Sequence, residues 1–365
     1  MTAMKPDRKA QLQPALSRRI RRDLLAWYRA EARDLPWRRT KDPYAVWISE
    51  IMLQQTRIDQ GTPYFERFMS AFPTVQALAA AADDEVLKLW EGLGYYTRAR
   101  NLHRAARMVV EDRRGVFPDT AAEWQQLPGV GRYTAGAIAS IAFGERAPVV
   151  DGNVIRVLTR LFDIADPADS SETRSRLWDL AGELVPSDAP GDFNQAMMEL
   201  GARVCTPKRP DCGACPIREH CEGLRRGVQE ERPVRRAKKA VPHHEYVVAV
   251  VKHNGRFLIA KRPPRGLLGG LWEFPGSRVG AKESHQRALE RMMRDEFSVD
   301  VKTGGLIASV NHAYSHFRVT MNVYACVVVD GKPAPAVHAE MRWVPRAHLS
   351  RYAFPKANLK FLPLL

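Results

Sequence analysis

A helical domain followed by an α+β domain is the fold class that this sequence predicts, on three observations. Apolar residues recur with a 3.6-residue period up to about residue 225 and with a two-residue period from residue 243 on, and a charge run separates the two regions. In the first region "YAVWISEIMLQQT" places Val46, Trp47, Ile51 and Leu53 near one stripe. "DEVLKLWEGLG" and "RARNLHRAARMVV" repeat the period, with Gly92 and Gly94 marking the end of the former. The stretch Arg225 to Lys239, "RRGVQEERPVRRAKK", holds seven basic and two acidic residues and almost nothing to bury, so it reads as a solvated linker. Beyond it, "EYVVAVVKHNGRFLIAKR" is two β-branched, apolar runs joined through Asn254-Gly255, a pair that tolerates positive φ in a tight hairpin. "FRVTMNVYACVVV" is a further strand and "SHQRALERMMRDEF" a helix between them. The expected boundaries are 1–225 for the helical domain, 226–242 for the linker and 243–365 for the second domain.

Composition narrows the function classes. A chain of 365 residues is comfortable for two domains, and its net charge of +15, from 56 basic and 41 acidic residues, favours a polyanionic partner. The first residues, "MTAMKPDRKAQLQPALSRR", contain no apolar core of signal-peptide length, and no run elsewhere would span a bilayer. The expected setting is therefore a reducing cytoplasm, with no membrane partner. In that setting clustered cysteines point to metal rather than to disulfides.

Four of the five cysteines fall in "CTPKRPDCGACPIREHC", with the spacing C-x6-C-x2-C-x5-C for Cys205, Cys212, Cys215 and Cys221. Four thiolates this close can hold zinc tetrahedrally or carry an iron–sulfur cluster. Only Cys212 and Cys215 form the short pair that zinc sites use, and the long first arm leans toward a cluster. Lys208, Arg209 and Arg218 are interleaved with the ligands, where a pinned loop would offer them to phosphate. The fifth cysteine, Cys326, sits inside a strand and is expected to pack there.

Three further stretches carry chemistry. In "LPGVGRYTAGAIAS", Gly129 and Gly131 flank Val130 between two helical segments, and amides opening the second helix suit a phosphate oxygen. Twenty residues after Gly131, Asp151 precedes the helix of "VVDGNVIRVLTRL", where an isolated aspartate would be an ordinary N-cap. In "SEIMLQQT", Glu50 lies among apolar helix neighbours, although most glutamates face solvent. Together Glu50 and Asp151 are a pair of acids that different surroundings could divide into a proton donor and an ionised partner.

The hairpin followed by the aspartate, together with the cysteine spacing, resembles the helix-hairpin-helix DNA glycosylase superfamily. "DPYAVWISEIMLQQT", "GLGYYTRARNLHRAA" and "LPWRRTKDPY" closely resemble adenine DNA glycosylases of the MutY type, and the resemblance covers nearly all of residues 16–225. It implies one [4Fe–4S] cluster on the four cysteines of the 205–221 loop. It implies Glu50 as the acid that protonates adenine and Asp151 as the carboxylate beside the sugar cation, with Tyr133 and Asn153 in support. It further implies that Leu53, Gln54, Gln55, Thr56 and Tyr95 enter the base stack or meet the base opposite the flipped adenine. Arg38 and Gln195 would line the base pocket, and Gly129 and Gly131 would approach DNA. Endonuclease III-like members carry a lysine two residues after the second hairpin glycine; here that position is Tyr133, and a phenol cannot form the imine that leads to strand cleavage.

Residues 243–365 resemble the nudix-like C-terminal domain of the same enzymes. A working nudix hydrolase needs G-x5-E-x7-R-E-U-x-E-E, whereas six residues separate Gly276 from Glu283 here, Met292 follows Arg291, and only Asp295 and Glu296 remain of the later acids. Too few carboxylates are left for a magnesium cage. "NHAYSHF" resembles the family's H-x-F-S-H stretch, which contacts 8-oxoguanine, and Tyr314, Ser315 and His316 are the corresponding reader residues, with tyrosine in place of phenylalanine. The resulting expectation is a monomeric, nucleoid-associated enzyme acting on double-stranded DNA, which removes adenine opposite 8-oxoguanine or guanine without cutting the strand. A bifunctional pyrimidine glycosylase is opposed by Tyr133 and the long C-terminal half. A non-catalytic iron–sulfur DNA-binding protein would leave Glu50 and Asp151 without a purpose.

Overall fold

The computed structural model describes residues 12–236 and 240–365. These form two compact units, and the division does not follow the sequence boundaries. The first unit contains the described residues up to Met69 and those from Met108 to 236, whereas Ser70–Arg107 belongs with the residues from 240 onward. Among the described residues no helix is long and apolar enough to cross a membrane.

The first unit is helical. Pro43–Met52 starts on Asp42, whose carboxylate accepts from the amides of Tyr44 (3.1 Å) and Ala45 (3.2 Å), with Pro43 preset for the first turn. The single stripe expected there is too narrow, because Tyr44 to Ser49, Ile51 and Met52 are all buried. A helix apolar all round lies inside the protein, so its one acid, Glu50, is carried inward with it. Arg132–Phe143 follows the glycine turn. Gly129 has φ +79, whereas Gly131 is extended and caps the helix, so positive φ is needed at only one of the pair. Gly152–Leu161 begins on Asp151, and its apolar face joins Ile20, Leu24, Leu177, Phe193 and Leu200 in the core. Pro190–Arg203 lies close against the start of that helix at Gly201, where a Cβ would come within 2.6 Å of Asn153 Cβ.

The stretch expected to be a solvated linker is partly docked. Arg232 pairs with Asp163 (2.9 Å), the two side chains 10% and 9% exposed, its carbonyl accepts from Arg160 Nε (3.1 Å), and Ala168 N donates to Val234 O (3.0 Å). One largely covered acid gives the charge run something to bind. Residues 237–239 of the expected linker lie outside the described residues, as do the first eleven residues of the stretch read for a signal peptide.

The second unit holds a mixed sheet: β1 (His243–His253), β2 (Arg256–Lys261), β3 (Trp272–Glu273), β4 (Gly276–Arg278), β5 (Asp300–Ala313), β6 (Arg318–Asp330) and β7 (Glu340–Pro345). The order β3-β2-β1-β6-β5 has β1 parallel to β6 and the other pairs antiparallel, with β4 paired to β1 and β7 to β2. Asn254 and Gly255 turn with φ +47 and +73, as the hairpin reading requires. The helix His285–Phe297 covers one face, where Leu289, Met292, Phe297 and Cys326 share a core. Trp272, Phe274, Phe354 and Phe361 fill the other face. Glu283 is engaged by Arg291 (2.8 Å) and by the Gly280 amide (2.7 Å), which hold its carboxyl down at about 2. The glutamate that a nudix site would use is therefore spent on an ion pair.

Candidate active site

A cavity of about 510 Å³ in the first unit gathers most of the residues singled out in the sequence. Arg38, Glu50, Leu53, Gln54, Gln55, Thr56, Tyr133, Asp151, Asn153 and Gln195 all line it. A volume of a few hundred Å³ suits a base with its sugar. Tyr95 does not line it; this residue belongs to the second unit, as do Tyr314, Ser315 and His316. Gly129 and Gly131 form their turn away from the cavity lining.

Two carboxyls with unlike surroundings face this cavity. Tyr133 donates its hydroxyl proton to Glu50 Oε2 at 2.8 Å, and Met198 Sδ is 3.1 Å from the same hydroxyl. Burial pushes the Glu50 carboxyl up to about 7; the Asp151 charge adds to the rise, while the Tyr133 hydrogen bond and Arg38 oppose it. Asp151 is also raised by burial, but three donors resist that rise: the amides of Val154 (2.8 Å) and Asn153 (2.9 Å) and the Asn153 side chain (3.0 Å). The N-cap reading of Asp151 is realised, and the same carboxylate lines the cavity, so capping does not remove it from the site.

Sequence reasoning missed two buried charges close to this pair. Glu199, 1% exposed, binds Arg33 through both oxygens (2.6 and 2.8 Å) and Arg38 (2.8 Å). Burial alone would raise its carboxyl, but the two guanidiniums outweigh this and bring it down to about 2. Arg156 is the second such residue. It donates to Asn153 Oδ1 (2.8 Å), Gly201 O (2.7 Å) and Cys205 O (2.7 Å), which joins the Asp151 cap to the cysteine loop. The signal for both was a charge placed at an apolar period, Glu199 between Met198 and Leu200 and Arg156 between Ile155 and Val157, and that pattern alone names no partner.

Cys205, Cys212, Cys215 and Cys221 are free and half-buried, and three of them rest on the helical core. Burial raises the thiols of Cys212, Cys215 and Cys221, and the charge of Cys205 raises each further, so the four lie within electrostatic reach of one another. Arg160, 2% exposed, directs Nη1 at Cys205 Sγ (3.3 Å) and at Thr206 O (2.7 Å), while Cys221 Sγ donates to Arg160 O (3.4 Å). A buried guanidinium beside sulfur suits a group that brings thiolates, so the residues present fit a cluster. Among the described residues no three His, Cys, Asp or Glu side chains close around a single-ion position. Of the interleaved cations Lys208 and Arg209 are exposed, and Arg218 pairs with Glu219 (3.1 Å).

In the second unit Tyr314 is seated by its ring, 4.8 Å from Phe317 and 4.7 Å from His312 between centroids, and burial lifts its hydroxyl to about 12. Ser315 and His316 are exposed, and Ser315 Oγ lies 2.5 Å from the hydroxyl of Tyr95, itself 45% exposed with φ +48.

Comparison with known proteins gives this geometry its family. Residues 48–183 match the HhH-GPD superfamily of base excision DNA repair proteins, 205–221 the iron–sulfur binding domain of endonuclease III, and 246–364 the NUDIX domain. The chain is 42% identical to the adenine DNA glycosylase of Rattus norvegicus, over 89% of this chain and 73% of that protein. Against the Homo sapiens adenine DNA glycosylase it is 39% identical, covering 93% and 73%. The chain belongs to the adenine DNA glycosylase family. It is a DNA glycosylase of base excision repair, with an iron–sulfur cluster as its cofactor. The relative from Buchnera aphidicola (Acyrthosiphon pisum strain) is 35% identical over 82% of this chain and 84% of its own. Among solved structures, a thermostable thymine-DNA glycosylase aligns with TM-score 0.54 at 30% identity, over 58% of this chain and 98% of that one. An endonuclease III trapped covalently on DNA aligns at 0.51 and 23% identity, over 60% and 100%, and shares the fold.

Proposed function

We propose that this glycosylase hydrolyses the N-glycosidic bond of adenine opposite 8-oxoguanine or guanine in double-stranded DNA, as a monomer in the compartment that holds the genome, and leaves the strand intact. The unequal acid pair carries the reading. Glu50, with one donor and a carboxyl lifted to about 7, can hold a proton at neutral pH and deliver it to the leaving adenine. Asp151, raised by burial but held by three donors that oppose the rise, would stabilise the sugar cation in its ionised form. The adenine must leave the stack to reach them. Arg38 and Gln195, which line the cavity, would hold the base, and Leu53 to Thr56, which also line it, would keep the emptied stack open. Tyr95 would meet the opposite base. Tyr133, bonded to Glu50, positions the acid and offers no amine for an imine, which supports base removal without strand cleavage.

Cys205, Cys212, Cys215 and Cys221 would hold one [4Fe–4S] cluster. The bound cluster supplies a rigid cross-link that presents Lys208 and Arg209 to phosphate, and Arg156 relays that rigidity to Asn153. Ser315 would read the lesion strand. Position 7 of 8-oxoguanine is an N–H donor that a serine hydroxyl can accept, whereas guanine offers only an acceptor there. Single-turnover excision from duplexes carrying adenine opposite 8-oxoguanine, guanine or thymine tests the whole reading. The first two should react and the third should not, with the product strand cut only after alkali. Equal rates on all three, or a borohydride-trapped adduct, would overturn it.

A further inference from the structure

The sheet of the second unit carries a groove that the catalytic reading leaves unused. It has a volume of about 530 Å³ and is lined by Val241, His243, Asn311, His312, Ala313, Arg318, Val319 and Lys360. Two imidazoles, one guanidinium and one ammonium face it, and no carboxylate does. An apolar groove would recruit a hydrophobic partner, and a groove of mixed charge would close on itself. The guanidinium of Arg318 and the ammonium of Lys360 have no carboxylate among the described lining residues to neutralise them.

Its construction places those donors at the root of the lesion-reading loop. Ala313 ends β5 and Arg318 begins β6, so the two residues flank Tyr314 to Phe317, and the loop is closed by the Tyr314 amide on Phe317 O (2.8 Å). His243 stands opposite Arg318 in the parallel β1–β6 ladder, and the Arg318 amide donates to Pro242 O (2.8 Å), which fixes the backbone from which its guanidinium projects. Lys360 is anchored to the same end by Nζ on Asn311 O (2.5 Å), which uses one of its three donors. His243 and Asn311 are both tied to Thr320 Oγ1, at 3.0 and 2.7 Å. Arg318 is exposed, and among the described residues its guanidinium has no recorded side-chain partner. Burial lowers the His312 imidazole, and the charges of Lys360 and Lys356 lower it further.

We propose that this groove is a backbone-phosphate site of the second unit, in which Arg318 and Lys360, with His243 beside them, grip the DNA strand next to the nucleotide read by Ser315. The proposal rests on the reading that the 312–316 loop faces the lesion strand. It adds a division of labour at one end of β5 and β6: the loop discriminates and its root holds. A phosphate contact carries no sequence information but sets register. The site would therefore act on 8-oxoguanine and guanine duplexes alike.

The test uses the full-length protein with its cluster in place and a duplex whose adenine carries a 2′-fluoro sugar, which resists hydrolysis. Dissociation constants are measured across a salt series for the parent, Arg318→Ala, Lys360→Ala and the charge-keeping Arg318→Lys. Each alanine variant should weaken binding to the 8-oxoguanine and guanine duplexes by the same factor. Each should also reduce the slope of log K against log salt by about 0.9 for a phosphate lost, and Arg318→Lys should keep the parental slope. Unchanged slopes in both alanine variants would overturn the site. Competition with inorganic pyrophosphate separates the two sources of the same chemistry: if pyrophosphate protects Arg318 from guanidine modification while the slopes stay parental, the groove holds free anions and the proposal fails. A changed preference for 8-oxoguanine over guanine in the alanine variants would likewise refute it, by making these residues part of lesion reading. Failure of the lesion-reading hypothesis has its own signature, an unchanged preference in Ser315→Ala, and leaves the salt slopes untouched.

Discussion

Replacing Glu50 with glutamine should abolish excision and stabilise the protein, and the second effect can be worked from the surroundings of the carboxyl. Burial first and the Asp151 charge second lift its pKa from 4.5 to about 7. A carboxyl raised on folding binds more protons in the native state than in the unfolded chain between those two values. Stability therefore falls as pH rises through that window, and the full penalty is present above about 7. At about 1.4 kcal/mol per pH unit, the penalty is at most ~3.5 kcal/mol, an upper figure because the carboxyl lines an open cavity. Glutamine removes the charge and keeps an oxygen for the Tyr133 hydroxyl. The variant should therefore melt higher than the parent in mildly alkaline buffer, by several degrees for ~2 kcal/mol in a chain of this size. The advantage should shrink on acidification and vanish near the ordinary carboxylate range. Excision should drop by about 10²–10⁴-fold below about pH 7, since the proton donor is gone, and the gap should narrow above it, where the parent loses that proton as well. The assay is a thermal midpoint series across pH, with cluster absorbance recorded to exclude differences in loading, alongside single-turnover excision. A variant no more stable than the parent at alkaline pH would show that Glu50 is not held protonated by its surroundings, and the acid assignment would fall.

Two changes around the same acid should move the alkaline limb of the excision profile in opposite directions. Tyr133→Phe removes a hydrogen bond that favours ionised Glu50, so the limb should shift to higher pH while the rate falls; a shift the other way would reverse the role given to the phenol. Glu199→Gln leaves Arg33 and Arg38 uncompensated, so Arg38 should pull the Glu50 carboxyl down and move the limb to lower pH. Breaking a buried pair in this way should also cost about 3–5 kcal/mol of stability, and Glu199→Asp should recover part of both effects; an unmoved limb in the glutamine variant would make Glu199 a purely structural residue. Cys212→Ser should give protein with less iron and less brown absorbance, and with DNA affinity lowered more than the melting of the second unit is disturbed. Stoichiometric zinc and no iron in the parent would overturn the cluster assignment. Ser315→Ala should shrink the affinity preference for 8-oxoguanine over guanine by about 1–3 kcal/mol, measured at fixed salt.

How much of this was legible in the sequence depends on whether a feature is local. The Asn254-Gly255 turn, the helix His285–Phe297 and strand β6 follow from period and turn chemistry within a few residues, and they stand where expected. The helix Pro43–Met52 was legible as a helix but not as a buried one, because a stripe counted on one element says nothing of what covers its other faces. The linker was misread for a related reason. A run of cations is solvated unless another part of the chain supplies a covered acid, and Asp163 lies 69 residues before Arg232 in the sequence. The same holds for Glu199, whose partners Arg33 and Arg38 are 166 and 161 residues away. Such pairs have no spacing rule, so only the fold announces them.

Asp151 shows why the bland and the functional readings of a residue need not compete. A helix start leaves backbone amides without partners, and a carboxylate that accepts from them is held in one orientation and kept ionised. Ordinary capping geometry is therefore already the device that a cation-stabilising carboxylate requires. What the fold adds is placement: Gly201 allows the helix Pro190–Arg203 to come against Asn153, and Pro43–Met52 brings a second carboxyl, bonded by the Tyr133 hydroxyl, to the same cavity. Burial raises both acids, but the helix terminus opposes the rise at Asp151 with two amides and the Asn153 side chain, whereas the Tyr133 hydroxyl opposes it at Glu50. The unlike roles proposed for the two acids would therefore begin in backbone geometry.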